Sequence, residues 1–452
     1  MSDDARSVLA DRYRSVDRDR GARLILAEAG TEAVSVGVRE RFTIAFAIFL
    51  GASTMQVGVL AAVSHLLLAV SQLSSTRLIR VLGGRKRMLV AGSLMSAVPF
   101  LLLAMIPLVP SAARVWTLVV LGSLALTLTY LAFPAWGSLV ADLVPLGRRG
   151  RFIGLRSSIL TGVGLTVGLG GAFLLDGLGQ KVMWGFVSVF LVAVIARLFS
   201  AVILSRVVDP RPELIIDVGD SPWKQMTHLG KTKLGRYNGL NLAFHTSVGI
   251  SAPFMAVYLL RELDISYSWF VGLGVVSSLT AMGANVLWGR LVDFKGTGLV
   301  LAISATLVAL HPLVFLGSGQ VWYLFLAFGI MGVTGAGWGI ASHSFVLENS
   351  DEEERPAAVG TFNAMASAGM FMGALIGSSI AVHVPTLFSS QLQTLFLLSA
   401  ALRFVTVAAL MPGVIGTAGL TGLANSLLKS GAAGTTVLRH RFASVVHAIL
   451  HV

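Results

Sequence analysis

The feature that most constrains this chain is a succession of long apolar segments, separated from one another by short charged, Gly-rich or Pro-rich breaks. Each segment has about the 20 residues that an α-helix needs to cross the hydrocarbon core of a bilayer. Hydrophobic residues make up 55% of the sequence and charged residues only 12%, whereas a soluble domain carries about 25% charged residues. A water-facing fold cannot bury this much apolar surface, so the sequence predicts an all-α membrane protein.

The apolar segments predict twelve transmembrane helices in two sets of six. The loops on the side of the N-terminus are rich in Lys and Arg, whereas the loops on the other side carry few. Because cytoplasmic loops have an excess of these residues, we expect both termini to be cytoplasmic and the protein to lie in the plasma (inner) membrane. The first set covers residues 28–50, 56–81, 88–107, 114–140, 152–175 and 182–205, and the second covers 236–260, 268–292, 298–317, 320–347, 358–383 and 391–412.

An internal repeat relates the two sets of helices. An offset of 213 residues places residues 77–83 over residues 290–296, with several identities. Internal repeats are common in transporter folds, and charged residues seldom match at one offset by chance. A second offset of 206 residues matches Asp142 with Glu348, Arg149 with Arg355, and Arg197 with Arg403.

The repeat divides the chain into five predicted parts. Residues 28–205 and 236–413 form two pseudo-symmetric six-helix bundles, joined by a cytoplasmic linker at 206–235 with Pro, Gly and charged residues. Residues 1–27 form a cytoplasmic N-terminal segment. Residues 414–452 form a cytoplasmic tail, which is either an amphipathic helix on the anionic membrane surface or an unstructured segment.

The loops after predicted helices 2 and 8 resemble the motif G-x-x-x-D-[RK]-x-G-[RK]-[RK] of the major facilitator superfamily. The second copy has Gly289, Asp293 and Gly296 at the motif spacing. The first copy keeps the basic end at Arg85–Arg87 but has Arg80 where the motif has Asp. The resemblance covers nearly the whole chain, and it implies two bundles that rock about a central cavity lined by helices 1, 4, 7 and 10.

Predicted helix 1 contains charged residues that a membrane-spanning helix rarely carries. A charge at the bilayer centre costs about 2.5 to 3.5 kcal/mol on insertion scales, so each one needs a reason. Glu28, Glu32 and Arg39 share one stripe of the helix, which we expect to face the cavity. Glu40 lies beside this stripe, and Arg41 points away from it. The alternative is that these charges only compensate one another structurally.

Predicted helix 7 repeats helix 1, and the 213-residue offset places Asn241 opposite Glu28 and His245 opposite Glu32. We therefore expect Glu32 and His245 to lie on facing walls of the cavity. A carboxylate and an imidazole in a partly dry cavity are able to exchange protons near neutral pH. The alternative for His245 is an ordinary buried histidine whose hydrogen bonds are satisfied locally.

Other intramembrane polar residues have two open interpretations. His65 and Gln72 share a face of predicted helix 2, and Gln72 aligns with Asn285 of helix 8. These side chains form either interhelical hydrogen bonds or solute contacts. Arg197 and Arg403 fall on the outer helices, where packing is the favoured role. The remaining candidates for the cavity wall are Tyr130, Trp136, Trp338 and His343.

Charged loops on the cytoplasmic side predict a gate between the bundles. The loop after predicted helix 2 is basic, whereas the loop before helix 11 carries an acidic run at 351–354. By pseudo-symmetry, Asp293 should meet the basic start of helix 5. Such contacts bridge the bundles only when the cytoplasmic side is closed. The predicted gate residues are Arg80, Arg85, Asp142, Arg149, Asp293, Glu348, Glu352 and Arg355.

The sequence therefore predicts a secondary active transporter that moves a small anionic, zwitterionic or amphipathic solute by alternating access. We expect proton coupling, with sodium as the alternative ion, and a monomer in the lipid bilayer that uses no cofactor and no metal. The net charge of +12 would suit a nucleic-acid partner, but basic cytoplasmic loops account for it. No nucleic-acid partner is therefore expected.

Two other function classes compete with transport. The first is a transporter-like membrane scaffold or sensor. The second is a membrane enzyme acting on an apolar substrate, but the sequence has no cysteine, no G-x-x-x-x-G-K-[ST] phosphate loop and no His beside its acidic run. We therefore expect no enzymatic activity.

Overall fold

The computed structural model describes residues 3–210, 232–350 and 355–415. In this part of the chain it contains α-helices and short 3₁₀ and π turns but no strand, which confirms the predicted all-α class. The helices are α1 Asp3–Phe49, α2 Thr54–Val81, α3 Arg85–Ala104, α4 Ser111–Leu131, α5 Phe133–Leu143, α6 Leu146–Leu178, α7 Val182–Ser205, α8 Lys233–Gly249, α9 Phe254–Val257, α10 Tyr267–Lys295, α11 Thr297–Ala309, α12 His311–Val314, α13 Val321–Glu348, α14 Arg355–Ile380 and α15 Gln391–Ile415.

Several helix bounds differ from the predicted ones for identifiable reasons. Predicted helix 1 began at residue 28, but α1 extends back to Asp3, and its 47 residues give a length of about 70 Å, well beyond a bilayer core. Predicted helices 4, 7 and 9 are each broken where a proline follows: Pro134, Pro253 and Pro312. Proline lacks an amide N–H and its ring clashes with the preceding turn, so it interrupts a continuous helix.

Eleven segments of the described chain are long and apolar enough to cross a membrane. The charged helix α1 is not among them, although it packs against α6 and α7. Close approach is possible there because glycines meet: a Cβ on Gly37 of α1 would lie 2.9 Å from the carbonyl oxygen of Gly164 in α6. The chain is therefore an integral membrane protein, in which the charged helix α1 packs beside the eleven apolar segments.

The helices form two bundles with matching packing. Helices α1 to α7 pack together through the pairs α1–α6, α1–α7, α2–α4 and α3–α7, and α8 to α15 pack through the corresponding pairs α8–α14, α8–α15, α10–α13 and α11–α15. The repeat extends to helix capping. The Ser53 hydroxyl accepts the Gln56 amide at the start of α2, and Ser266, 213 residues later, accepts the Trp269 amide at the start of α10.

The two bundles meet through α2 with α14 and α6 with α10. At one end, which we call the loop end, buried residues of both bundles form a single apolar core that includes Phe46, Phe186 and Phe254. At the other end, the terminal end, the bundles have separate cores, represented by Leu139 in the first and Phe345 in the second. The described structure is therefore sealed across the bundles at the loop end and divided at the terminal end.

Candidate functional site

A group of charged side chains lies inside the first bundle, which we call the carboxylate cluster: Glu28, Glu32, Arg156 and Arg197. Glu28 is buried on α1, and its Oε1 accepts a hydrogen bond of 2.7 Å from the Ser200 hydroxyl of α7. Glu32, one turn later, forms an ion pair with Arg156 of α6. Arg197 lies within electrostatic reach of both carboxylates. Three helices thus hold two acids and two bases together.

Neighbouring polar groups and an aromatic ring fix the cations of the carboxylate cluster. The Arg156 guanidinium lies 4.1 Å from the centre of the Trp136 ring, which is a favourable cation–π geometry. Arg197 Nε donates to the Ser96 hydroxyl at 2.6 Å. A cavity of about 30 Å³ opens beside these residues, which is room for about two water molecules. Water therefore has access to Arg156 and Arg197, which lie in segments long and apolar enough to span a membrane.

A second polar group begins at Arg39, two turns along α1 from Glu32. Arg39 is buried, and its Nη2 donates to the hydroxyl of Tyr130 on α4 and to Glu40, both at 3.3 Å. Its guanidinium also lies 5.0 Å from the centre of the Tyr130 ring. The Glu40 side chain is 51% exposed, and the buried Arg39 Nε has no partner among the described residues.

His245 of α8 completes this second group from the other bundle. Its Nδ1 lies 2.9 Å from the Asn241 carbonyl oxygen, one turn earlier. Because a carbonyl only accepts, Nδ1 carries the hydrogen and the neutral ring presents Nε2 as an acceptor. The imidazole lies 6.1 Å from the Trp338 ring, which stacks on Phe244.

His65 of α2 lies in the same region of the molecule. It lies within electrostatic reach of both His245 and Arg39, and its buried Nδ1 has no hydrogen-bond partner in the described chain. We call the set Arg39, His65, Tyr130, His245 and Trp338 the central group. It contains charged, imidazole and aromatic side chains from both halves of the molecule.

Glu32 and His245, which were expected to face each other, each have a different partner in the structure. Glu32 pairs with Arg156, and His245 bonds to the backbone of its own helix. Asn241 is buried, and its amide donates to the Phe362 carbonyl of α14. Sequence reasoning did not name Arg156 as a partner of Glu32. Its position inside an apolar segment was the available signal, because a charge within a membrane helix needs a partner.

The predicted gate residues Arg85 and Asp142 do meet, but inside one bundle. Buried Arg85 forms ion pairs with Asp142, at 2.7 Å, and with Asp209 beyond α7. It also donates to the Ser138 hydroxyl. In the second bundle, Glu348 accepts a hydrogen bond from Thr297 at the start of α11. These contacts fasten helix ends within each bundle.

The other predicted positions are less informative. Arg80, Asp293 and Asn285 have exposed side chains. The side chains of Gln72, Arg149 and Arg355 are not described, and Glu352 lies outside the described residues, as do most of the linker and the tail. The cytoplasmic gate therefore stays a prediction.

Hydrogen bonds that cross between the bundles occur at the loop end, which sequence reasoning did not consider. The Asp176 carboxylate, near the end of α6, accepts the backbone amides of Tyr267 at 3.0 Å and Ser268 at 2.8 Å. These amides open α10, where the helix dipole favours an anion. Arg261 donates to the Ala52 carbonyl across the same seam. We call Asp176 and its two amide contacts the loop-end latch.

The sequence pattern of the Major Facilitator Superfamily matches residues 33–240 and again residues 238–417. The chain belongs to this superfamily. Each half of the chain matches the pattern separately, in keeping with the repeat. The predicted family and fold are thus confirmed, and the family consists of membrane transporters rather than enzymes.

Two curated relatives are similar to part of the chain. It is 30% identical over 170 residues to the multidrug resistance protein MdtG of Proteus mirabilis, which is 36% of this chain and 40% of the relative. It is 31% identical over 159 residues to the class E tetracycline resistance protein of Escherichia coli, covering 34% and 39%. The chain thus matches about two fifths of the length of these relatives.

The structural likeness extends over more of the chain. The crystal structure of a D-xylose-proton symporter superposes with a TM-score of 0.67 and 14% identity, covering 87% of this chain and 95% of that one. At this identity the likeness concerns the fold alone. It supports the arrangement of two six-helix bundles.

Proposed function

We propose that this protein is a proton-coupled secondary active transporter that exports a small amphipathic solute by alternating access. The observation that carries the proposal is the difference between the two ends. The bundles share one apolar core at the loop end and have separate cores at the terminal end. The basic loops lie at the terminal end, so the positive-inside rule places that end in the cytoplasm. The arrangement then corresponds to a state that is open to the cytoplasm and closed to the outside.

Proton coupling is supported by the carboxylate cluster. Two carboxylates lie beside a cavity with room for water. Glu28 has a neutral hydrogen-bond donor in Ser200 and a neighbouring acid in Glu32. Protonating one carboxylate changes the charge of the cluster by one unit and weakens its hold on Arg156 or Arg197. Such a change gives a physical route from proton binding to helix rearrangement.

The solute class is supported by the central group and by the relatives. The Tyr130 ring of the first bundle lies against Arg39, whose buried Nε has no partner among the described residues, and the Trp338 ring of the second bundle lies beside His245. Apolar pockets with a few convergent polar groups are typical of sites for amphipathic molecules. The two curated relatives are named for multidrug and tetracycline resistance, which favours export of such a solute. We propose that the protein works as a monomer, since each half of the central group comes from the same chain.

Reconstitution into proteoliposomes tests this function. Tetracycline and a lipophilic cationic dye serve as probes, with an imposed pH gradient and with solute counterflow at equal pH. We expect saturable counterflow of at least one probe, and accumulation driven by the pH gradient that a protonophore abolishes. Absence of counterflow with every probe would favour a scaffold or sensor, and accumulation unaffected by the protonophore but driven by sodium would replace the proposed ion.

A further inference from the structure

A groove lies on the outside of the first bundle, where α1, α6 and α7 meet. We call it the outer groove. Its volume is about 150 Å³, which in an apolar space is enough for a group the size of benzene. Its lining includes buried Val38 of α1 and the exposed residues Gly170, Leu174, Ser188 and Val192 of α6 and α7. The outer groove therefore opens between α6 and α7 toward the surroundings of the bundle.

Gly170 keeps the outer groove open because it has no side chain. A Cβ on Gly170 would have no heavy atom within 4 Å, whereas a Cβ on the next residue, Gly171, would lie 2.7 Å from the ring of Phe42 in α1. The two glycines thus face different surroundings. Gly171 permits the close approach of α1, and Gly170 leaves space beside it that a larger side chain would fill.

The lining of the outer groove suits an alkyl chain. Among the described residues that line it, Ser188 has the one polar side chain, and its hydroxyl donates to the Trp184 carbonyl at 2.9 Å. Water is a poor occupant of such a space, because a buried water needs about two to four polar partners. Since α6 and α7 lie in segments long and apolar enough to span a membrane, the molecules that surround the groove are lipids.

The depth of the outer groove matches the acyl chains of one leaflet. Lys181 lies in the turn that joins α6 and α7 at the loop end. At a rise of about 1.5 Å per residue, Ser188 and Val192 lie about 10 and 16 Å along α7 from Lys181. One leaflet contributes about 15 Å of hydrocarbon. A chain that enters from the loop-end surface therefore extends along the whole groove.

Groups that favour a phosphate lie at the loop end of the outer groove. Lys181 is exposed, and no described side chain caps the start of α7, where the helix dipole favours an anion. The nearby acid Asp176 is bound to the backbone amides that open α10. Trp184, in the first turn of α7, is 63% exposed, and tryptophan is enriched at the membrane interface. The turn thus combines a cation and an interfacial ring above an apolar groove.

We propose that the outer groove binds one acyl chain of a phospholipid from the loop-end leaflet, with the lipid phosphate beside Lys181. The site lies on the outer surface of one bundle and is independent of the transported solute. Lipid tails surround a bound chain and a free chain alike, so burial of apolar surface gives little net gain. Selectivity comes from van der Waals contact in the groove and from attraction between the phosphate and Lys181.

Photolabelling in proteoliposomes tests this site. The probe is phosphatidylglycerol with a diazirine in the middle of one acyl chain, compared with a diacylglycerol that carries the same chain and lacks the phosphate. Peptide mass spectrometry measures adducts on the groove segments of α6 and α7. Each yield is divided by the yield around Val98 of α3, which is 53% exposed and lies about 9 Å from the loop end of its helix.

We expect the normalised labelling of the outer groove to be about 5-fold higher with the phospholipid than with the diacylglycerol, because a lysine near the membrane surface attracts an anionic lipid. The reference yield around Val98 corrects for general contact with the bilayer and for the amount of inserted protein. Equal normalised labelling by the two probes would overturn the proposal.

Substitutions assign the two contacts of the lipid. Gly170→Leu places a side chain in the outer groove and should lower its normalised labelling at least about 5-fold, because the acyl chain loses its contacts there. The matched control is Gly162→Leu, since Gly162 is also exposed on α6 and has no heavy atom within 4 Å of an added Cβ. This control should label as the wild type does. Unchanged groove labelling in Gly170→Leu would overturn the proposal.

Lys181→Gln should remove the preference for the phospholipid over the diacylglycerol, whereas Lys181→Arg should keep it because the charge remains. Lys181 is exposed, so both variants are expected to fold, and they test the site independently of Gly170→Leu. A preference that survives in Lys181→Gln, or that is lost equally in Lys181→Arg, would contradict the proposed phosphate contact.

Discussion

Equivalent positions in the two bundles carry different chemistry. In the first bundle, Glu28 and Glu32 lie near buried Arg197 and Arg156. In the second, the aligned residues of α8 are Asn241 and His245, and buried Arg403 donates to neutral oxygens, Val308 carbonyl at 3.1 Å and Ser251 hydroxyl at 2.9 Å. The first bundle therefore has carboxylates beside its buried arginines, whereas the described part of the second bundle has an amide and an imidazole at the aligned positions. In the proposed function, the carboxylates of the first bundle serve proton coupling, and the second bundle serves solute recognition.

Breaking the Glu32–Arg156 pair should give the largest effect. Glu32→Gln leaves Arg156 buried without its counter-charge, and breaking a buried pair from one side typically costs about 3 to 5 kcal/mol. We expect a large loss of thermal stability in detergent and loss of more than about nine tenths of transport. The charge-swapped protein Glu32→Arg with Arg156→Glu should recover part of the stability. A Glu32→Gln protein as stable as the wild type would contradict the importance of this pair.

The two aligned arginines should respond differently to removal. Arg197→Leu leaves Glu28 without a cationic neighbour on α7 and should lower stability by about 2 to 4 kcal/mol. Arg403→Leu removes a cation whose described partners are neutral, and Ser251 keeps its bond to Ser399. It should therefore change stability by less than about 1 kcal/mol. Chemical unfolding in detergent measures both, and equal losses would show that the second bundle also depends on a buried charge.

The loop-end latch predicts a smaller shift between conformations. Asp176→Ala removes the acceptor for two amides that open α10, and loss of a helix cap costs about 0.5 to 2 kcal/mol. Because the latch joins the bundles only when the loop end is closed, the closed-loop-end population should fall severalfold. Cysteines introduced at the two ends report this population by their labelling rates. Asp264→Asn, an exposed carboxylate in the loop before α10, should leave the rates unchanged.

The predicted cytoplasmic gate should have the smallest effect. Each exposed ion pair is worth about 0.2 to 1 kcal/mol, so only several together shift a two-state population. Arg80→Glu should favour the state open at the terminal end, and Glu352, Glu353 and Glu354 changed to Lys in the same protein should restore part of the balance. Labelling of cysteines at the terminal end measures the shift. No response to the single change, or no rescue by the combination, would exclude this gate.

The fold could be predicted because apolar segment length and the spacing of repeated charges are local properties of the sequence. Ser53 and Ser266 repeat even at the level of helix capping. Pro134 and Pro312 are sequence signals of the two helix breaks. The breaks were not predicted because the chain is apolar on both sides of each proline. The extension of α1 to Asp3 was missed because helices were predicted from apolar segments alone, and the first 27 residues are rich in charge.

The candidate site could be predicted only in part. The stripe of Glu28, Glu32 and Arg39 was identified from helical periodicity, because residues one turn apart share a face. Their partners were not, since Arg156, Arg197 and Ser200 come from helices whose rotation about their own axes no local pattern specifies. The latch at Asp176 was missed for the same reason. Ion pairs and hydrogen bonds between helices depend on tertiary packing, which cannot be read directly from a single sequence.

The most direct test of separated coupling and recognition compares two transport modes in one variant. In Glu28→Gln proteoliposomes, solute counterflow requires binding and alternating access, whereas accumulation driven by a pH gradient also requires proton transfer. We predict that Glu28→Gln keeps at least about half of wild-type counterflow and loses more than about nine tenths of accumulation driven by the pH gradient. Loss of both modes together, or retention of both, would contradict a coupling role for the carboxylate cluster.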